Sequence, residues 1–229
     1  MRAQFVDVWH AELRGLDSKA LTVWDALLSD QERQRSQEYK RPERRQGFVA
    51  VRGLLRCTLA GYLDVEPREL VFESGEYGKP ALVGARLHFN ISHSGDHLLI
   101  AVSDLGELGV DVESLRVGRN LHALAGRCFS VREYREWAAL PAEQQLPTFY
   151  RLWVKKEAFV KAVGRGIAAG LDLCEFALEA GGQLVAIPGE FGGIDAWSVV
   201  ELPVANAAAA LVAPNKSGVF CFRELGLGV

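Results

Sequence analysis

No stretch of this chain is apolar for long enough to cross a bilayer. The longest, near Ala207–Ala213, falls far short of the roughly 20 residues a membrane helix needs. The opening MRAQFVDVWHAEL has no basic segment followed by a long apolar run, so it does not read as a secretory signal. An excess of one charge sign is missing too. Against 26 basic side chains stand 29 acidic ones, a formal net charge of -3. That leaves no global positive field for nucleic acid, and any anion must be held by local charge. Cys57, Cys128, Cys174 and Cys221 include no CxxC pair, which argues against a zinc ribbon or a thioredoxin-like site. Among apolar neighbours, each reads as a reduced core thiol. There is no Walker loop and no GxGxxG, which argues against P-loop kinases and dinucleotide enzymes. Low-complexity tracts and internal repeats are also lacking. The expectation is a soluble, cytoplasmic, globular protein whose 49% apolar content supports a full core.

What is present alternates between helical and strand patterns. Residues 4–9 alternate as a strand does. Ser29–Asp30 is placed to cap a helix, and Pro42 to open another whose Phe48, Val51, Leu55 and Leu59 form a stripe. Residues 29–56 carry eight basic and four acidic side chains. This run is either a solvated helix face or a seat for phosphates or for an acidic partner. Gly78-Lys79-Pro80 reads as a turn. Strands are expected at 87–92, 98–103, 108–113, 171–178, 183–187, 196–202 and 208–213, and helices at 119–140 and 148–163. Short strands joined by turns and mixed with helices make the class α+β, with a boundary near residues 104–109.

Three segments carry chemistry. In Gly109-Val110-Asp111-Val112-Glu113, strand geometry sends Val110 and Val112 inward and projects Asp111 and Glu113 together, about 6–7 Å apart along the chain. Neighbouring carboxylates repel and call for a cation or a shared proton. Magnesium, which prefers oxygen, suits them; a solvent-facing acidic edge would look the same. In Trp153–Lys161, helical spacing lines up Trp153, Glu157 and Lys161, with Lys156 one step round. Alone, this reads as a surface helix with an i,i+4 ion pair, ended by Gly164. Asn90-Ile91-Ser92-His93-Ser94-Gly95 gathers small hydroxyls and a histidine at a strand end, a composition able to meet a phosphate. His88, His93 and His97 do not have the spacing of a zinc motif.

Taken together, the segments GEYGKPAL, LHFNISHSG, LGVDVE, FSVRE and WVKKEAFVKAVGRGI, in this order between Gly75 and Ile167, resemble the 4′-phosphopantetheinyl transferases of the larger, surfactin-synthetase-activating type. The resemblance implies a pseudo-twofold α+β fold of two similar halves in one monomeric chain. Residues 1–108 would contact the adenine and 3′-phosphate of coenzyme A. Residues 109–229 would carry the magnesium site, the catalytic helix and carrier-protein docking. It further implies Mg2+ on Asp111, Glu113 and Glu157, with Glu157, Lys161 and Asp111 catalytic. Coenzyme A would be held by Arg45, Gly78, Lys79, Pro80, Ser92, His93, Lys156 and Lys161. The implied reaction moves 4′-phosphopantetheine from coenzyme A to a serine of an acyl or peptidyl carrier protein, leaving 3′,5′-ADP. By the same resemblance, no nucleic acid or membrane would be involved. Leu121, Leu124 and Phe129 are either core or a docking patch for the carrier. Two rival readings are another magnesium phosphotransferase or nuclease, and a silent module that binds coenzyme A or a carrier protein.

Overall fold

The computed structural model describes residues 4–227 except 76, 85, 166–170, 180 and 217. Glu76 in the first family-like segment, and Gly166 and Ile167 in the last, lie outside the described residues. Strand β1 (Phe5–Glu12) is followed by helices α1 (Ser18–Leu27), α2 (Asp30–Gln37) and α3 (Pro42–Leu63). Their starts are written locally. Asp17 accepts from the Lys19 N–H, Ser29 and Glu32 form a reciprocal capping box, and Pro42 sits in the first turn of α3. Helix α1 was not expected from the pattern. It is held by Trp24, which lies over Gly53 of α3, where any side chain would collide with the indole. A short hairpin follows, β2 (Phe72–Ser74) and β3 (Pro80–Leu82), then the antiparallel pair β4 (His88–Ser94) and β5 (His97–Ser103).

The second half repeats this order. Strand β6 (Gly109–Ser114) leads to helices α4 (Leu121–Cys128), α5 (Val131–Ala138) and α6 (Ala142–Ala162). A small hairpin follows, β7 (Glu175–Phe176) and β8 (Leu184–Ala186), then β9 (Trp197–Glu201) and β10 (Ala207–Pro214). In each half the last strand lies centrally, antiparallel both to the first strand and to its predecessor: β1–β5–β4 and β6–β10–β9. The duplication implied by the resemblance is therefore present as topology, in an α+β fold. A final strand, β11 (Val219–Glu224), was not anticipated. It returns to pair in parallel with β1.

The two central strands explain the most apolar runs. Leu98, Ile100 and Val102 of β5 face the core under α1 and α3, while Leu99 and Ala101 face a core between the two sheets. Likewise Ala208, Ala210 and Val212 of β10 face α6, and Ala209, Leu211 and Ala213 face the same inter-sheet core. Strands buried on both faces read as continuous apolar runs.

Several expectations change in detail. The helical stretch 119–140 is two helices, broken where Ser130 caps α5 through a box with Glu133. The expected strand 171–178 is reduced to Glu175–Phe176 after a short 3-10 turn. Of the four free cysteines only Cys174 is core, and burial pushes its thiol up to about 12; Cys57 is exposed. Leu121 and Leu124 are half-buried and pack against the second core beside the buried Phe129. The basic run is not simply a solvated face either. Arg52 and Arg56 both bind the Glu32 carboxylate, and Arg56 also donates to the Pro67 and Leu70 carbonyls.

Candidate active site at the seam between the halves

The site is built where β6 meets α6. Gly109 makes that meeting close. A Cβ there would overlap the Ala158 carbonyl oxygen and lie 2.9 Å from the Lys161 Cβ. Only a residue without a side chain lets the strand rest against the helix backbone. Val110 and Val112 then enter the inter-sheet core, as the alternation requires. Asp111 and Glu113 turn the other way, toward Glu157 and Lys161 on α6.

Asp111 is almost fully buried. Its Oδ1 accepts from Lys161 Nζ and from Ser92 Oγ, both at 2.7 Å. Its Oδ2 is buried with no partner, an arrangement that costs free energy unless something positive meets it. Glu113 Oε2 accepts from Ser94 Oγ at 2.7 Å. Glu157 is buried, and its carboxyl is raised to about 7, first by burial and then by the charge of Asp111. Lys161 opposes that rise and Glu113 adds to it. Burial raises Asp111 as well, against the pull of Lys161 and Ser92. Carboxylates that raise one another are short of positive charge. Among the described residues no three acid, histidine or cysteine groups are gathered tightly enough to enclose an ion. The cation present at the seam is the Lys161 ammonium. The orphaned Asp111 oxygen and the all-oxygen donors nonetheless fit a hard cation of the magnesium kind.

Strand β4 lies behind these acids. Its Asn90, Ser92 and Ser94 are buried rather than solvent-facing, which departs from the half-buried strand expected from the alternation. Their side chains meet the amides of β6: Asn90 Oδ1 accepts from the Val110 N–H at 2.9 Å, Ser92 Oγ from Val112 at 3.3 Å and Ser94 Oγ from Ser114 at 3.2 Å. His93 is exposed on the opposite face of β4 from this row. Partial desolvation and then the Lys161 ammonium hold its imidazole below the ordinary value, with Glu113 opposing.

Other sequence candidates are distributed unequally. Gly78 takes φ +80° in the turn before Pro80, where the Gly75 N–H donates to the Lys79 carbonyl. Lys79 and Pro80 line a cleft of 340 Å³ together with Tyr77, His88, Glu107 and the α6 end at Ala162–Gly164. This cleft therefore runs from the first half to the end of the Glu157 helix. The helix ends there because Gly164 takes φ +70°, the Gly164 N–H meets the Lys161 carbonyl and the Arg165 N–H meets that of Val160. Lys79 Nζ is held at 2.5 Å by Glu107 and at 2.9 Å by the Leu108 carbonyl. Arg45 is exposed in the first turn of α3 and lines a different cleft, with Ser18, Thr22 and Asp25.

Lys156 is not at the cleft. It is wholly buried, paired with the equally buried Glu133 at 2.8 Å, and it donates to the Leu171 and Cys174 carbonyls. Glu133 completes the set by accepting from the Ser130 and Phe176 N–H groups. One step round from Glu157 on a helix is about 100°, enough to turn a neighbour into the core. Lys156→Met should therefore act on stability, leaving Glu133 buried and unpaired at a cost of about 3–5 kcal/mol. Chemical denaturation should show this loss, with partial recovery in the Lys156→Met/Glu133→Gln double variant. Unchanged stability with a raised KM for coenzyme A would instead return Lys156 to the cleft.

Comparison with known proteins bears on this geometry. Residues 107–212 match the 4′-phosphopantetheinyl transferase superfamily, and residues 17–105 match 4′-phosphopantetheinyl transferase, N-terminal. The 4′-phosphopantetheinyl transferase HetI of Nostoc is 39% identical over 211 residues, covering 90% of this chain and 86% of that protein.

The chain belongs to the 4′-phosphopantetheinyl transferase superfamily.

A 4′-phosphopantetheinyl transferase of Bacillus subtilis is 34% identical over 148 residues, 64% of this chain and 65% of that protein. The solved holo-[acyl-carrier-protein] synthase of Thermotoga maritima is 25% identical and covers 48% of this chain and 64% of its own, with a TM-score of 0.38. Members of the superfamily transfer 4′-phosphopantetheine from coenzyme A to carrier proteins. Among the described residues no helix is long and apolar enough to cross a membrane.

Proposed function

We propose that this transferase moves 4′-phosphopantetheine from coenzyme A to a serine of an apo acyl or peptidyl carrier protein, acting as a cytoplasmic monomer at the β6–α6 seam. The observation that carries this reading is the convergence of Asp111, Glu113, Glu157 and Lys161 beside a cleft that joins the two halves. In this reading residues 1–108 hold the adenine end of coenzyme A through Lys79 and Pro80, with Gly78 shaping the turn. His93 and the exposed Arg45 serve its 3′-phosphate. Residues 109–229 supply the reacting end and the carrier-binding face. Asp111, Glu113 and Glu157 would hold Mg2+, which when bound neutralises charge on the pyrophosphate.

The residues of the chain do the rest. Lys161 spends two of its three protons on the Val110 carbonyl and Asp111 Oδ1, which leaves one for a phosphate oxygen. Glu157, raised to about 7 while no metal is bound, is the group placed to take the serine proton, through an oxygen that does not hold the ion. The serine oxygen then bonds to the phosphorus that bears pantetheine. The bond from that phosphorus to 3′,5′-ADP breaks, and the electron pair leaves with the nucleotide. Transfer at phosphorus depends on such positioning and charge more than on covalent help.

Incubation with coenzyme A, Mg2+ and an apo carrier protein should add the mass of one phosphopantetheine to the carrier. No gain across acyl and peptidyl carriers would favour a silent binding module. Metal binding should also report on Glu157. Below its pKa of about 7 the carboxyl must lose a proton to become a ligand. Mg2+ affinity should therefore rise up to about tenfold per pH unit below that value and level off above it. Calorimetry in buffers of different ionisation enthalpy checks the proton count, and an affinity flat across that range removes Glu157 from the ligand set.

A further inference from the structure

The first sheet runs β11–β1–β5–β4, so β11 and β1 lie at the edge away from the β4 row that meets the seam. Between that edge, α1 and α3 is a cavity of 590 Å³, a size ordinary for small-molecule sites. It shares no lining residue with the seam or with the two clefts described above. One wall is a single face of α3, where Leu54, Cys57, Thr58 and Gly61 recur at helical spacing. Packing does not require glycine at 61. Nothing lies within 4 Å of a Cβ built there, and its φ is not positive. The missing side chain leaves open a space that a larger residue would take.

The facing wall is polar and already ordered. Trp9 Nε1 donates to the Tyr62 hydroxyl at 2.8 Å, and that hydroxyl donates to Asp7 Oδ2 at 2.5 Å. Arg223 lies over the Trp9 indole, 5.4 Å from the ring centre, and its Nη2 stands 3.6 Å from Asp7 Oδ1. That separation is an attraction between charges, too long for a hydrogen bond. Among the described residues the guanidinium donates to no acceptor, so its planar fork is unspent.

We propose that this cavity is a second ligand site, for a small aromatic carboxylate. The Arg223 fork matches a carboxylate through two parallel hydrogen bonds. One cation beside the Asp7 anion suits a single negative charge and disfavours a doubly charged phosphate. The flat apolar body would lie along Trp9 and against Val23, Leu54 and Leu225. Such an occupant ties β11 to α3, away from the transfer chemistry.

The probe is 2-naphthoate, with its neutral amide as control. Calorimetry on the full chain should give one site per protein, and the acid should bind about 10- to 100-fold more tightly than the amide. Bound probe should slow alkylation of the exposed Cys57, followed at its own peptide by mass spectrometry. Arg223→Gln should erase the preference for the acid. Gly61→Leu fills the open space and should abolish binding in a protein that melts no lower than the wild type. If Arg223→Gln fails to fold, Gly61→Leu decides. The proposal is overturned by normal binding in Gly61→Leu, by unslowed alkylation of Cys57 with probe bound, by equal affinity of the wild type for acid and amide, or by no saturable binding at all.

Discussion

Glu157→Gln should yield a folded protein that transfers phosphopantetheine about 10²–10⁴-fold more slowly, the usual loss when a general base is removed. The same variant should be more stable than the metal-free wild type at pH 8 and equal to it near pH 5. The sign follows from the raised pKa. The wild-type carboxyl titrates at about 7 in the folded protein, against an ordinary value of 4.5. Its contribution to stability is complete below 4.5 and is lost as pH rises through 7, because the folded state then holds a buried charge that the unfolded chain hydrates. Glutamine carries no such charge. Thermal melts should show the gap opening with pH, by about 2–4 °C for each kcal/mol of burial cost removed. Near-normal turnover would take Glu157 out of the mechanism. A gap that does not change with pH would mean the carboxyl is not raised.

Gly109→Ala should be among the most damaging single changes in the chain. The added methyl would meet the Ala158 carbonyl oxygen, the Ala162 amide and the Lys161 Cβ. Two of these are backbone atoms of α6 and cannot rotate away, so the strand and helix must part. A cost of about 3 kcal/mol or more is expected, or roughly 6–12 °C in Tm. Separation would also take Asp111 from Lys161, so activity should fall further than stability alone explains. A variant that melts within a degree of the wild type and turns over normally would show that the contact is not what assembles the site.

Much of the fold was legible because its signals are local. Capping by Ser29, the proline opening of α3 and the glycine end of α6 depend on neighbours a few residues away. The alternation of β6 placed Val110 and Val112 inside and Asp111 and Glu113 together without reference to the rest of the chain. Other elements depend on distant partners. Helix α1 owes its place to Trp24 over Gly53, and β11 to an open edge of β1. The basic run from 29 to 56 could not reveal that Glu32 consumes Arg52 and Arg56, because the three meet only when α2 packs on α3. Ser130-x-x-Glu133 was a readable cap signal for a break within 119–140, but its second use, as the partner of Lys156, was not.

The sequence by itself determined the chemical kit: two carboxylates on one strand, a glutamate and lysines on one helix, hydroxyls on another strand, and the ordered motifs that mark the family. Tertiary structure decided which of these face one another. Lys156 and Lys161 are five residues apart on one helix, yet one is sealed against Glu133 and the other stands at Asp111. The hydroxyls of Ser92 and Ser94, read as a composition able to meet a phosphate, donate to Asp111 and Glu113. The reason is that side-chain direction follows local periodicity, whereas what a side chain meets is set by the packing of segments remote in sequence. Here that packing turns on Gly109, where β6 rests against the backbone of α6.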